Sequence, residues 1–191
     1  MKNAVTALLF CALGATSALA VFDSTPDLFG LYFDEAADVP CLFEAPLPYV
    51  PLAMYLTYTN PSVDEIAGFE VGITGDGYYL ILEVMLPCLV IDPVDLDNIM
   101  IGCPIPCTET TVLATFTLLN SAPTEPVATF TVRNAADSSH EGDLPVVYLV
   151  DGSVLRPSVL FYPDATSGWG LECYPVPAVQ SSWGTVKSLY R

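Results

Sequence analysis

Apolar side chains recur at every second position over much of the chain, and this alternation limits what the sequence can fold into. In the stretch Leu52–Thr59, for example, Leu52, Met54, Leu56 and Tyr58 share one face. A period of two is the spacing of a β-strand with one buried face. The chain also contains 17 prolines, and no apolar stripe at the helical period interrupts the pattern between residue 21 and the C-terminal tail. The sequence therefore predicts an all-β fold.

Further runs of this kind, each bounded by Pro, Gly, Asn or Asp, predict about nine strands. Asp151-Gly152 lies between two of them and is a strong signal for a tight hairpin. One run is apolar on nearly both faces, which predicts a central strand. We expect an antiparallel β-sandwich with strands at Phe29–Phe33, Leu52–Thr59, Ala67–Ile73, Tyr78–Leu86 (the central one), Asn98–Gly102, Val112–Leu119, Val127–Arg133, Leu144–Val150 and Val154–Phe161.

The N-terminus has the three-part layout of a secretory signal peptide. Lys2 precedes the apolar run Ala4–Leu13, and the small residues Ala18 and Ala20 follow it as in an A-x-A cleavage site. The run is about half as long as the ~20 residues that span a membrane. We predict a signal peptide at 1–20, a sandwich domain at 21–172 and a Pro-containing linker with a short tail at 173–191. Cleavage near Ala20 would deliver the chain to the extracellular space or the cell envelope.

The charge balance excludes several classes of partner. The sequence has 22 acidic and 5 basic residues and a net charge of −17. Such a surface repels phosphate backbones and anionic headgroups, so neither nucleic acid nor an acidic membrane surface is expected as a partner. The longest charge-free stretches after the leader, Ala45–Val63 and Cys173–Val186, contain several prolines. They cannot form a continuous spanning helix, so we expect no membrane insertion of the mature chain.

Five cysteines follow the leader, and an oxidising compartment favours disulfides among them. The odd number leaves one thiol free or paired between chains. A bridge between Cys103 and Cys107 would close a small local loop, and one between Cys41 and Cys173 would tie the first strands to the C-terminal segment. A zinc site is the alternative, but Cys88, Cys103 and Cys107 lack the tight paired spacing of zinc modules.

The C-terminal tail differs in composition from the rest of the chain. It contains Trp183, Val186 and Tyr190, which would share one side of a short helix, with Lys187 and Arg191 four residues apart. One interpretation is a sorting or docking tag held away from the domain. The other is a frayed terminus whose tryptophan folds back onto the sandwich.

Short strand motifs add a family resemblance. The segments Thr57–Pro61, Ile66–Glu70, Ile101-Gly102 and Val112–Leu118 follow the strand order of cohesin-like domains, in which a Gly-aromatic-acidic step precedes a Leu-Ala-Thr strand. The chain resembles this family, and secreted bacterial proteins of the same outline, over roughly Leu28–Phe161. The resemblance implies a nine-stranded jelly-roll sandwich that serves protein–protein attachment, or a relative that binds carbohydrate.

Few residues suggest catalysis. The single histidine, His140, follows Ser138 and Ser139 in a polar loop, whereas a Ser–His–acid triad needs its nucleophile on a rigid elbow. Glu70 and Glu83 lie in predicted strands and resemble a glycosidase carboxylate pair, but the alternation places Glu70 on the outward face and no cleft is predicted. A solvated loop and two strand-borne glutamates are the simpler interpretations, so we expect no enzyme and no catalytic residue.

Two features suggest ligands. Asp92, Asp95 and Asp97 offer three carboxylates within six residues, which makes them a calcium candidate, although the run lacks the glycine and terminal glutamate of an EF-hand loop. Trp169 lies between two glycines that cannot cover it locally, so it is expected to be exposed and to serve as a stacking platform for a sugar. Apart from calcium, no cofactor is indicated.

These observations favour a secreted, non-catalytic module for adhesion or scaffolding, with another secreted or surface protein bound through a sheet face. The alternative is a carbohydrate-binding module with a polysaccharide ligand and calcium as a structural ion. A small hydrolase is the third hypothesis, and it would require a pocket that converges on Glu83 or His140.

Overall fold

The computed structural model describes residues 24–88, 95–122, 127–160 and 167–170. These residues form β-strands and their connections, without a helix. In this part of the chain, accordingly, no helix is long and apolar enough to cross a membrane. The strands are β1 (Leu28–Tyr32), β2 (Cys41–Leu42), β3 (Pro51–Thr59), β4 (Glu65–Gly77), β5 (Tyr79–Met85), β6 (Ile99–Ile101), β7 (Ile105–Pro106), β8 (Thr110–Asn120), β9 (Ala128–Arg133), β10 (Val146–Leu149), β11 (Val154–Leu155), β12 (Ser158–Val159) and β13 (Ser167–Trp169).

The strands belong to two sheets, which confirms the predicted all-β sandwich. One sheet has five strands in the order β12-β1-β3-β8-β5. The other has eight, with the order β11-β10-β4-β9-β13-β2 and with β6 and β7 also paired to β4. The pairings are antiparallel except for two short parallel ones, β1 with β12 and β13 with β2. Strands are more numerous than predicted partly because the run from Val154 divides before Pro157, which has no N–H for a ladder, so that β11 and β12 join different sheets.

The regular alternation on β3 and β8 makes these strands the centre of the five-stranded sheet. Met54, Leu56 and Tyr58 point inward from β3 and are at most 1% exposed. On β8, Phe116 lies opposite Met54 and Ala114 lies opposite Leu56. Both strands therefore contribute one buried face to the core, as their period-two pattern predicts.

The long strand β4 holds the eight-stranded sheet together. Its first part pairs with β10 on one side and with β6 and β7 on the other, and its second part pairs with β9. Ile66, Phe69, Val71 and Ile73 are buried on its inner face. Because β4 pairs with four other strands, it brings together segments that are far apart in the sequence.

Aromatic rings join the two sheets. The rings of Phe29 on β1 and Phe69 on β4 meet edge to face with their centroids 6.3 Å apart, and those of Tyr79 on β5 and Phe130 on β9 meet at 4.8 Å. Burying a side chain of this size contributes about 1.5–3 kcal/mol relative to leaving it exposed. The core between the sheets is thus continuous from β1 to β5.

The prediction that Tyr78–Leu86 forms a central strand is wrong. The strand found there, β5, is the last strand of the five-stranded sheet, and among the described residues it pairs only with β8. Ile81 and Val84 pack against the core, whereas Leu80 and Leu82 are more than half exposed. The apolar residues on the second face are therefore on the protein surface, where no other strand of the described ranges covers them.

The disulfide pairing also differs from the suggested one. Cys103 is bonded to Cys88, with the Cα atoms 6.5 Å apart, and Cys107 is a free, half-buried thiol. A bridge between Cys103 and Cys107 is wrong because the chain between them is extended in β7 and paired with β4. Cys41 is disulfide-bonded as well, and Cys173, its suggested partner, lies outside the described residues.

Candidate functional site

An exposed apolar surface lies along the β5 edge of the five-stranded sheet. We call it the β5 surface and define it by five side chains, each between 52% and 63% exposed. Soluble proteins rarely leave a contiguous apolar patch uncovered unless it binds something. Its members are Tyr49, Tyr78, Leu80, Leu82 and Met85.

Hydrogen bonds to the end of β8 bring these side chains together. The Tyr49 N–H donates to the Asn120 carbonyl at 3.0 Å, and the Tyr49 hydroxyl donates to the Ser121 carbonyl at 3.3 Å. The Ser121 N–H in turn donates to the Tyr78 carbonyl at 3.1 Å. Two residues after Tyr78, Leu80 on β5 lies opposite Leu119. The segment before β3 is therefore held beside the start of β5.

One charged side chain of β5, Glu83, lies beside the β5 surface. Glu83 is exposed on β5 in the row next to that of Leu80, opposite Thr117. The five-stranded sheet contains no lysine or arginine in the described part of the chain. Of the two described arginines, Arg133 lies on β9 of the other sheet and Arg156 follows β11.

A buried carboxylate lies on the outer face of the eight-stranded sheet. Glu70 on β4 is only 7% exposed, and its two oxygens accept four hydrogen bonds. Oε2 accepts from the Ser138 hydroxyl at 2.6 Å and from the Ser139 N–H at 3.0 Å. Oε1 accepts from the Ser139 hydroxyl at 2.7 Å and from the Tyr148 hydroxyl at 2.5 Å. We call these four residues the Glu70 cluster.

The loop between β9 and β10 covers Glu70 because it is fixed to the sheet at several points. The Asn134 side-chain amide donates to the carbonyls of His140 and Gly142 at 2.8 and 3.0 Å. The Asn98 amide nitrogen donates to the Asp137 carboxylate at 3.1 Å, and the Asp137 N–H donates back to the Asn98 amide oxygen. These bonds place both serine hydroxyls over β4.

The hydrogen bonds decide the charge of Glu70. Burial alone would raise the pKa of its carboxyl group, but the bonds from Ser138, Tyr148 and Ser139 together outweigh burial and lower that pKa below the usual value. Glu70 is therefore a carboxylate at neutral pH. A carboxylate with a lowered pKa and filled acceptor positions is poorly suited to general acid catalysis.

The structure brings the residues of the imagined triad together in a different arrangement. Ser138 and Ser139 both donate to Glu70, and the His140 ring packs against the Tyr148 ring with the centroids 5.8 Å apart. Glu70 lies on the outward face, as the alternation predicts, but the burial of its side chain was not predicted. The signal available was the polar run after β9, which could cover an outward glutamate on β4.

The expected exposure of Trp169 is wrong. Its side chain is 0% exposed and packs against Phe33 and Phe130, with ring centroids 6.4 and 5.6 Å away. The flanking glycines cannot cover it, but β9 and the β1 end of the core do. A sugar platform at this position is thereby excluded.

The remaining predicted site residues are only partly described. Asp92 lies outside the described ranges, as do Trp183, Lys187, Tyr190 and Arg191 of the tail. Asp97 faces the Arg133 guanidinium at 3.7 Å, and no group of three potential metal ligands occurs among the residues that the structure describes. Calcium binding at Asp92, Asp95 and Asp97 stays a prediction.

Comparison with known proteins gives a limited result. No protein-family model matches the sequence, and no curated protein matches it. Among solved structures, a chain of the cohesin–dockerin complex of CaDoc0917 with CaCohA2 is similar, with a TM-score of 0.47 and 16% sequence identity. The alignment covers 75% of this chain and 96% of the other. A similarity of this size transfers no residue roles, so the fold assignment depends on the strand pairing described above.

Proposed function

We propose that the protein is an exported, non-catalytic binding module that attaches to another protein through the β5 surface. The observation that carries this proposal is the set of half-exposed apolar side chains on Tyr49, Tyr78, Leu80, Leu82 and Met85. Covering such side chains releases about 25 cal/mol per Å² of apolar area, which gives a partner a reason to bind there. Aromatic and methionine side chains are also enriched at protein interfaces.

Charge indicates the kind of partner. The chain has a net charge of −17, and Glu83 is the charged residue beside the β5 surface. A second copy of the chain would bring an equal excess of negative charge, which opposes self-association. We therefore expect a partner protein whose contact surface combines apolar side chains with lysine or arginine opposite Glu83. Its association should slow as ionic strength rises, since salt screens the attraction.

Export and the lack of catalysis have separate support. The Cys88–Cys103 disulfide is typical of an oxidising compartment, in keeping with the leader sequence. The carboxylate with serine and tyrosine neighbours, which most resembles an active site, has its acceptor positions filled by the β9–β10 loop and by Tyr148 on β10. Its contacts describe an anchor for that loop.

The test compares two surface variants of the full chain. Leu80→Asp combined with Leu82→Asp places two charges on the β5 surface, and Val150→Asp is the control because Val150 is 63% exposed at the β10–β11 turn of the other sheet. The immobilised proteins are incubated with the secreted proteins of the producing cells, and the retained proteins are quantified by mass spectrometry at low and at physiological salt.

The expected result is a basic protein that is retained by the wild type and by Val150→Asp and lost at least about tenfold from the double variant, a difference of about 1.4 kcal/mol. Equal retention by all three proteins would contradict the proposal. Light scattering supplies a second criterion. If the wild type is a dimer and the double variant is a monomer, the partner is another copy of the chain.

A further inference from the structure

A cavity of about 320 Å³ adjoins the Glu70 cluster on the outer face of the eight-stranded sheet. Gly68 on β4 and Gly102 after β6 form part of its lining, so backbone is present where other residues would place side chains. The approach is close, because a Cβ on Gly68 would lie 2.3 Å from the Ile101 carbonyl oxygen. Met100, Tyr148 and Glu70 line the same cavity.

The hydroxyl groups of the Glu70 cluster all donate their hydrogens to other oxygens of the cluster. The Ser138 hydroxyl donates to Oε2 of Glu70 and accepts from the His140 N–H at 3.2 Å. The hydroxyls of Ser139 and Tyr148 contact each other as well as Oε1, so their two hydrogens are shared among these three oxygens. A hydroxyl has one hydrogen and two lone pairs. Of the cluster, Glu70 and Tyr148 line the cavity, where the Tyr148 hydroxyl therefore offers a lone pair and no spare O–H donor.

No basic side chain neutralises Glu70 in the described part of the chain. Arg156 donates its guanidinium N–H groups to the carbonyls of Leu144 and Glu141, and Arg133 pairs with Asp97. Neutral hydroxyls and one N–H group stabilise the carboxylate, but its negative charge is retained. Arg156 acts on Tyr148 through its charge but donates its N–H groups elsewhere, so the carboxylate and the acceptors of the site match a ligand that brings donors and a positive charge.

We propose that this cavity binds a cationic nitrogen group on a short alkyl chain, either an ammonium or a guanidinium. The charged nitrogen donates to a lone pair of the Tyr148 hydroxyl and is attracted by the Glu70 carboxylate, since both residues line the cavity. The carbon chain packs against Ala67 and Met100, and the Tyr148 ring adds a cation–π contact. The excess of acidic residues raises the local concentration of such cations.

Such cationic groups on alkyl chains occur both in small free amines and guanidines and in the lysine or arginine side chains of a protein. The experiment uses the full chain labelled with ¹⁵N and follows the Gly68 and Gly102 amide signals at 0.15 M NaCl. The probes are n-butylammonium and n-butylguanidinium as free cations, butan-1-ol as the neutral control, and acetyl-Gly-Lys-Gly-amide as the peptide form.

We expect both free cations to shift the two glycine signals and to bind at least about tenfold tighter than butan-1-ol. Glu70→Gln should weaken n-butylammonium about tenfold, whereas Glu109→Gln, at an exposed glutamate just before β8, should change its affinity less than twofold. Because Glu70→Gln also disturbs the loop, Ala67→Leu is included. Ala67 lines the cavity and takes no part in the hydrogen bonds of the cluster, so this replacement should fill the space and abolish the shifts.

The proposal is overturned if butan-1-ol and n-butylammonium bind equally, or if Ala67→Leu binds the cation as the wild type does. Shifts spread over the acidic surface, without a preference for the two glycines, would also overturn it, because they indicate general attraction of cations. Binding of the free cations together with the peptide assigns the site to both sources, and binding of the peptide alone assigns it to a protein side chain.

Discussion

The Glu70 cluster permits a quantitative prediction for Glu70→Gln, which keeps the shape of the side chain and removes its charge. The glutamine amide fits best with its oxygen at the Oε2 position, because the Ser139 N–H found there cannot reverse its direction. Its NH₂ group then meets the hydroxyls of Ser139 and Tyr148, which are exposed and half-buried and can turn to water. The bonds from Ser138 and from the Ser139 N–H persist, but to a neutral acceptor.

The magnitude follows from those two bonds. A hydrogen bond to a charged group contributes about 1.5–3 kcal/mol and a neutral one about 0.5–1.5 kcal/mol, so each bond weakens by about 1 kcal/mol. We expect Glu70→Gln to lower the free energy of unfolding by about 2 kcal/mol. Relief of the buried charge does not offset this loss, because the lowered pKa of Glu70 shows that the hydrogen bonds outweigh burial.

The assay is urea unfolding followed by circular dichroism with the disulfides intact, and Glu83→Gln is the control. Glu83 is exposed, so its replacement should change the free energy of unfolding by less than about 0.5 kcal/mol. If the curves of the two variants coincide, the hydrogen bonds to Glu70 do not stabilise the fold and the reasoning is refuted.

The pH dependence provides a second readout of the same group. The pKa of Glu70 is lower in the folded state than in the unfolded state, where a glutamate titrates near about 4.3. Its contribution is therefore complete above that pH and is lost as pH falls through the folded value. Between pH 6 and about pH 3 the wild type should lose more stability than Glu70→Gln does, and parallel pH profiles would contradict this.

Three further predictions concern single residues. Burial raises the pKa of the Cys107 thiol, and nearby carboxylates add to this effect, so at pH 8 iodoacetamide should modify Cys107 more slowly in the folded protein than in urea, as measured by mass spectrometry. Gly68→Ala places a Cβ 2.3 Å from the Ile101 carbonyl oxygen and should destabilise the protein by about 1–3 kcal/mol in urea unfolding. Asp97→Asn removes a surface ion pair with Arg133, spaced at 3.7 Å, and should change stability by less than about 0.5 kcal/mol in the same assay.

Local pattern was sufficient where a strand has one buried and one exposed face. The alternation of Met54, Leu56 and Tyr58 gave the inner face of β3, and Asp151-Gly152 gave the β10–β11 hairpin, whose pairing of Tyr148 with Val154 is observed. These features depend on the spacing of side chains along one strand and on the conformation of one turn.

Contacts between distant segments could not be predicted in this way. Glu70 is outward by alternation, yet a loop 68 residues later in the chain covers it. Trp169 is flanked by glycines, yet Phe130 on β9 and Phe33 just after β1 bury it. An apolar second face on β5 fits a central strand and an exposed binding edge equally well, because periodicity does not record how many neighbours a strand has.

The form of the β5 edge bears on how a partner binds. Ile81 lies opposite Leu118 and Glu83 lies opposite Thr117, so Leu82 is an extra residue in the ladder. A bulge and a charge are both devices that discourage another strand from pairing with an edge, and here they occur side by side in the middle of β5. They interrupt the row of backbone groups but leave the outward side chains accessible. A partner is therefore expected to cover the apolar side chains of β5 rather than to extend the sheet by one strand.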